Sequence, residues 1–148
     1  MIRDKLYTKY LSDITSLAEK LDNALNNLPS CSDGETMEES EIRSAIYRAA
    51  ENLNDAKWAI EHFSKPVKEG RLRKNSYGKF EIDFNQGGTS YPLSCGRSIE
   101  IYLAADEEIG RDGGWYSGRV EHNNQGYYFY GQWKTLLYDG MKVRERVD

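Results

Sequence analysis

Apolar side chains along the first third of the chain recur once per helical turn. Tyr7, Tyr10, Ile14, Leu17, Leu21, Ala24 and Leu28 alternate at spacings of three and four, the seam of a helix that packs against another helix. Pro29 stops this helix, because proline has no amide donor and disfavours helical geometry in the residue before it. Ser30-Cys31-Ser32-Asp33-Gly34 then supplies turn chemistry. A second seam follows in Ile42, Ile46, Ala49, Leu53, Ala56, Ile60 and Phe63. Thr36 stands three residues before Glu39, the spacing of a capping box, and Glu35, Glu38, Glu39 and Glu41 suit the positive end of a helix dipole. Pro66 ends the second segment. The pattern predicts helices over about 3–28 and 37–64, paired as an antiparallel hairpin of coiled-coil character that fills residues 1–66.

Some apolar residues lie off these seams. Leu11, Ala18 and Leu25 share one flank of the first helix, and Tyr47 and Trp58 stand eleven residues apart, about three turns, on the second. Leu11, Leu25, Tyr47 and Trp58 are therefore candidates for an interaction face, covered by the β domain or by a second copy in a four-helix arrangement.

Beyond Pro66 the period falls to two. Phe80, Ile82 and Phe84 alternate with Glu81 and Asp83, and Ile99, Ile101 and Leu103 with Glu100 and Tyr102, so each run has a buried and a wetted face. Further strands are predicted over 70–74, 115–122, 127–130, 134–138 and 141–147, separated by turns rich in Gly and Asn. Short strands at this density, with no helix between them, predict an antiparallel β domain over 67–148 that curls into a small barrel. An SH3-like barrel is the first expectation and an OB-like one the second. The fold class is α+β.

Charge is distributed unevenly. Residues 1–64 hold 7 Lys and Arg against 12 Asp and Glu, whereas residues 65–148 hold 13 against 12, so the acidic half is the helical one. The net charge of −4 argues against bulk packaging of nucleic acid but permits a local basic patch. The first residues mix charges, and no apolar run is long enough for a signal peptide or a membrane span, so a cytoplasmic protein with no membrane partner is expected. Cys31 and Cys95 would then remain thiols.

Catalytic signatures are sparse. Phosphate-loop, zinc-protease, paired CxxC and dinucleotide-binding patterns are all missing from the sequence. His62 and His122 are the only histidines, so no metal or cofactor is expected. Cys95, before Gly96, has two readings: a thiol activated by a histidine such as His122, or a small buried residue at a turn that needs glycine. The second carries more weight, and the chain is expected not to be an enzyme.

Binding chemistry is better represented. Tyr127-Tyr128-Phe129-Tyr130 lies between Trp115-Tyr116 and Trp133, and alternation puts Tyr128 and Tyr130 on one face. Arg71 and Arg73 share a face of the first strand, followed by Lys74, and Lys142, Arg144 and Arg146 share a face of the last. If those two strands pair, the residues form one basic strip. Arg71, Arg73, Lys74, Trp115, Tyr116, Tyr128, Tyr130, Trp133 and Arg144 are the candidate binding residues. They suit a protein or peptide first and a nucleic acid second, unless the aromatics simply pack and the cations guard strand edges.

Several phrases in order also resemble a known family. Glu69-Gly70-Arg71-Leu72, Tyr91-Pro92-Leu93-Ser94-Cys95-Gly96-Arg97-Ser98-Ile99, Gly118-Arg119-Val120-Glu121-His122, Gly126-Tyr127-Tyr128-Phe129 and Leu136-Leu137-Tyr138-Asp139-Gly140-Met141-Lys142-Val143-Arg144 are similar to short bacterial proteins of unknown function. The resemblance spans about 69–147 and leaves the hairpin outside. It implies a setting in Gram-positive bacteria and their mobile elements, and a role in binding, but transfers no catalytic residue. Residues 104–114, long for a hairpin turn, are expected to form a mobile loop beside the site.

Overall fold

The computed structural model describes residues 2–27 and 34–148, residues 2–8 by their backbone alone. Two helices, α1 (Ile2–Asn27) and α2 (Met37–Ser64), precede seven strands. These are β1 (Val67–Lys74), β2 (Phe80–Phe84), β3 (Ser98–Leu103), β4 (Gly114–Asn123), β5 (Gly126–Gly131), β6 (Thr135–Leu136) and β7 (Lys142–Arg146). The chain divides into two compact units, one up to Lys65 and one from Pro66 onward.

Local chemistry sets the limits of α2. Thr36 Oγ1 accepts from the Glu39 amide at 3.2 Å while the Glu39 carboxylate accepts from the Thr36 amide at 2.9 Å, the reciprocal pair of a capping box. At the other end Lys65 is extended, as a residue before proline prefers, and the helix stops there. Leu28, the predicted stop at Pro29 and the predicted turn residues Ser30 to Asp33 lie outside the described residues, as does the side chain of Tyr7.

Within the hairpin the seam differs from the expected one. Leu11, Ile14, Ala18, Leu21 and Leu25 turn inward on α1, whereas Tyr10, Leu17 and Ala24 are exposed. Leu11 and Leu25 are thus part of the helix contact and not a free flank. On α2 the inward series is Ile46, Ala50, Leu53 and Ile60, with Ile42 and Ala49 outside. Ile14 and Leu21 fit either series on α1, so the period alone leaves the choice open. The selected series carries Ala18, which with Ala50 is fully buried, and small side chains let helix backbones approach. Tyr47 and Trp58 are exposed as expected, and the Trp58 ring stacks on His62 at 4.8 Å one turn later.

The strands form one antiparallel sheet in the order β2-β1-β7-β3-β4-β5-β6. β1 and β7 pair, from Val67 opposite Arg146 to Arg71 opposite Lys142. Hydrogen-bonded pairing ends at β2 and β6, so the sheet is not a closed ladder. It is nevertheless curled: Phe80 of β2 meets Tyr127 of β5 edge to face at 6.4 Å, although four strands lie between them in the order. The concave side holds the core, which includes Leu72, Ile82, Ile101, Val120, Phe129, Met141 and Val143. Leu93 and Leu137 join it from the connections. The amides of Ser90 and Leu93 donate to Ile82 and Phe80, each at 2.8 Å, and cover part of the outer edge of β2.

Residues 104–114 are tied back on themselves. A short 3-10 turn, Glu107–Ile109, is capped by Asp106, Asp106 and Arg111 bridge through their backbones, and the Arg111 guanidinium donates to the Ala104 carbonyl at 3.0 Å. The loop expected to be mobile is therefore held by its own hydrogen bonds.

Gly118, like Gly70, marks a close approach between strands. A Cβ at Gly118 would stand 2.4 Å from the Tyr130 carbonyl oxygen and 2.5 Å from the Phe129 ring, and neither can yield cheaply. Gly118→Ala is expected to destabilise the β unit by about 2–3 kcal/mol, the scale of overpacking in a dense core. Urea unfolding followed by tryptophan fluorescence measures this, and an unchanged midpoint would contradict it.

Candidate binding face

Strand alternation gives the sheet an outer face of unusual composition. The register places Arg71 and Arg73 of β1, Lys142, Arg144 and Arg146 of β7, Glu100 and Tyr102 of β3, Trp115 and Arg119 of β4, and Tyr128 and Tyr130 of β5 on that side. Its centre is Glu100, only 4% exposed despite lying on the side expected to be wetted. Arg146 donates to its carboxylate twice, at 2.7 and 3.2 Å, and Arg144 once, at 3.0 Å. Burial pushes the Glu100 carboxyl up, but the hydrogen bonds from Arg146 and Arg144 and their charges outweigh it and hold the group below its ordinary value of 4.5.

Aromatic rings extend outward from this centre. Arg144 lies 4.4 Å over the Trp115 ring, and its Nε is buried with no hydrogen-bond acceptor among the described residues, so the indole face is its neighbour on that side. Trp115 meets Tyr102 edge to face at 5.6 Å, and Lys142 stands over both rings, 4.9 Å from Tyr102 and 5.3 Å from Trp115. Arg119, ion-paired to Glu121 at 2.6 Å, lies 4.7 Å over Tyr130. Lys134 stands 4.6 Å over Tyr128. Tyr102 and Tyr130 keep more than two fifths of their surface exposed, as does Leu136, which pairs with Tyr128.

Among the candidate residues Arg71, Arg73, Trp115, Tyr128, Tyr130 and Arg144 share this face. Lys74, Tyr116 and Trp133 do not. Tyr116 and Trp133 pack on the core side against each other at 6.5 Å, and the Tyr116 hydroxyl donates to the Asp112 carbonyl. Lys74, one step from Arg73, turns to the opposite side near the Phe80 ring.

The basic strip is also corrected. Pairing of β1 with β7 does align Arg71 with Lys142, but Arg144 and Arg146 are committed to Glu100, Arg73 reaches Glu81 at 3.5 Å, and Arg71 donates to the Gly140 carbonyl at 2.9 Å. Across the outer face seven cations, counting Lys134 over Tyr128, meet five carboxylates, those of Glu69, Glu81, Asp83, Glu100 and Glu121.

Tyr102 and Arg119 belong to the face without having been candidates for it, whereas Lys142 was expected there as part of the basic strip. The signal for Tyr102 was present, since an aromatic alternating with Ile101 and Leu103 must turn away from the core. Cys95 is exposed, against the expectation of a buried turn residue, and His122 sets its ring against Tyr127 at 4.6 Å. Among the described residues no three His, Cys, Asp or Glu side chains gather as metal ligands, and no helix is long and apolar enough to cross a membrane.

Residues 70–145 match a family described as a domain of unknown function, DUF5348. No curated protein and no solved structure matches the chain.

Replacing Glu100 by Gln leaves two arginines with a neutral partner and is expected to cost about 3 kcal/mol at pH 7. The folded carboxyl titrates below its unfolded value near 4.5, so its contribution is complete above that pH and is lost as pH falls through the folded value. Urea midpoints measured from pH 7 to pH 3 should therefore fall more steeply for the native protein than for Glu100→Gln. Parallel curves would contradict the assignment.

Proposed function

The chain belongs to this family of unknown function, and we propose that its sheet is a non-enzymatic module that binds a polypeptide on the outer face. The observation that carries this reading is the grouping of exposed Tyr102 and Tyr130 with half-buried Trp115 and Tyr128, interleaved with Arg119, Lys142 and Arg144. Tyr, Trp and Arg are the residues that dominate protein interfaces, because each combines a large contact area with a polar tip. The rings are steadied by cations above them, so little rotamer freedom is left to lose on binding.

Charge balance supports a polypeptide over a phosphate backbone. With seven cations facing five carboxylates and each of the five arginines already holding a partner, few of them could neutralise phosphates without abandoning it. Single-stranded nucleic acid is the second reading, favoured by the same rings as stacking surfaces. In both readings the curled sheet acts as a small SH3-like barrel, supported by the Phe80 to Tyr127 contact across its concave side.

Selection of a displayed library of random peptides on the immobilised full chain, followed by calorimetry on the recovered peptides, tests the proposal. Trp115→Ala and Tyr130→Ala are each expected to weaken binding by tenfold or more, and Tyr91→Ala, at a site 89% exposed outside this grouping, to leave it unchanged. Peptides that bind the double variant Trp115→Ala, Tyr130→Ala as tightly as the native chain would overturn it. Affinity for oligothymidylate that falls steeply with salt, alongside failure to recover peptides, would transfer the face to the second reading.

A further inference from the structure

The hairpin presents an apolar face that two helices alone cannot bury. Successive helical residues advance by about 100°, which places Tyr10, Leu17 and Ala24 about 80° to one side of the inward series on α1. On α2, Ile42, Ala45, Ala49, Ala56 and Phe63 lie to one side of its inward series, and Tyr47 and Trp58 to the other. The helices run antiparallel, so the Tyr10 flank and the alanine flank fall on the same side of the hairpin. The opposite side is polar: Asp22, Asn26, Tyr47 and Asn54 line a groove there. Leu17 is 48% exposed, Tyr10 47% and Ile42 54%, while Ala18 and Ala50 are the only fully buried hairpin residues among those described.

We propose that this face is a dimer interface, on which two copies of the chain stack as a four-helix bundle with α1 of one copy over α2 of the other. Shape favours a second copy as the occupant. α1 supplies Leu17 as a large side chain and α2 supplies Ala49 and Ala56 as small ones between the larger Ile42 and Phe63, so a twofold axis along the bundle sets a knob over a hole twice. Leu17 and Ala56 stand at about the same height in the antiparallel hairpin, and the axis brings the one over its partner's other.

Charge agrees with this occupant. The apolar stretch runs about 21 Å along α1, from Tyr10 to Ala24, and about 32 Å along α2, from Ile42 to Phe63, so the face offers roughly 500 Å² per copy, the size of a small interface. Tyr10, Ile14, Leu17, Leu21 and Ala24 bring no charge to it, and the acidic residues that border it are Asp13 on α1 and, at the start of α2, Glu38 and Glu41. The excess negative charge of the hairpin therefore does not oppose itself across the centre.

Sedimentation equilibrium on the full 17.0 kDa chain reads the outcome. The native protein is expected at twice the chain mass, Leu17→Glu and Ala56→Lys each at the chain mass, and Trp58→Ala, on the other side, still at twice. Mixing the Leu17→Glu and Ala56→Lys chains should restore the double mass, because each heterodimer has one Glu-over-Lys contact and one native contact. Where either variant also loses helix by circular dichroism, mixing should restore the helix with the mass. A native protein that stays at the chain mass at about 50 μM would overturn the dimer. A Leu17→Glu chain that stays dimeric would overturn this face, and variants that fail to recover on mixing would overturn the α1-over-α2 arrangement.

Discussion

Only two ladder pairs, Glu100 with Arg144 and Ile101 with Val143, join β3 to β7 among the described residues, and the carboxylate of Glu100 adds its bonds to Arg144 and Arg146 across that junction. On one side stand β2, β1 and β7, with five-residue ladders between neighbours; on the other stand β3, β4, β5 and β6. A ladder so short offers little resistance to splaying. Glu100 compensates by drawing Arg144 and Arg146 across from β7, and Arg97 reaches Glu145 at 2.8 Å close by. A buried ion pair of this kind is weak evidence of net stability but strong evidence of register, since a slip of one residue would send Arg144 and Arg146 toward the core and Val143 outward.

The same contact organises the surface. Arg144, fixed by Glu100, is the guanidinium that lies over Trp115, and Trp115 in turn meets Tyr102 and Lys142. The outer face is thus a continuation of the junction and not a separate decoration of the sheet. Its arginines serve two purposes at once, and that is why a strip of basic residues in the sequence does not become a basic surface in the fold.

Much of the architecture was legible from period alone. Helices read over about 3–28 and 37–64 run over Ile2–Asn27 and Met37–Ser64 among the described residues, and the alternations of Phe80, Ile82 and Phe84 and of Ile99, Ile101 and Leu103 were readable as strands with a correct inner face. Selection between two equally periodic series was not legible. Ile14 and Leu21 fit both, and the series with the larger residues looks more hydrophobic, whereas packing favoured Ala18 because bulk keeps helices apart. Glu100 escaped for a different reason: a carboxylate between two isoleucines looks solvated until the strand beside it is known. Trp133 and Tyr116 were near the aromatic run in sequence but on the wrong side of the sheet, where only the register could place them.

Topology imposes an order on assembly. β7 lies in the middle of the sheet yet follows every other strand along the chain, so a ribosome delivers β1 with β2, and then β3 through β6, before the strand that unites them exists. Until it arrives, β1 and β3 each carry an open row of backbone amides and carbonyls, and the core lacks Val143 from its centre. Only a strand that pairs with both β1 and β3, as β7 does, makes the two halves one sheet.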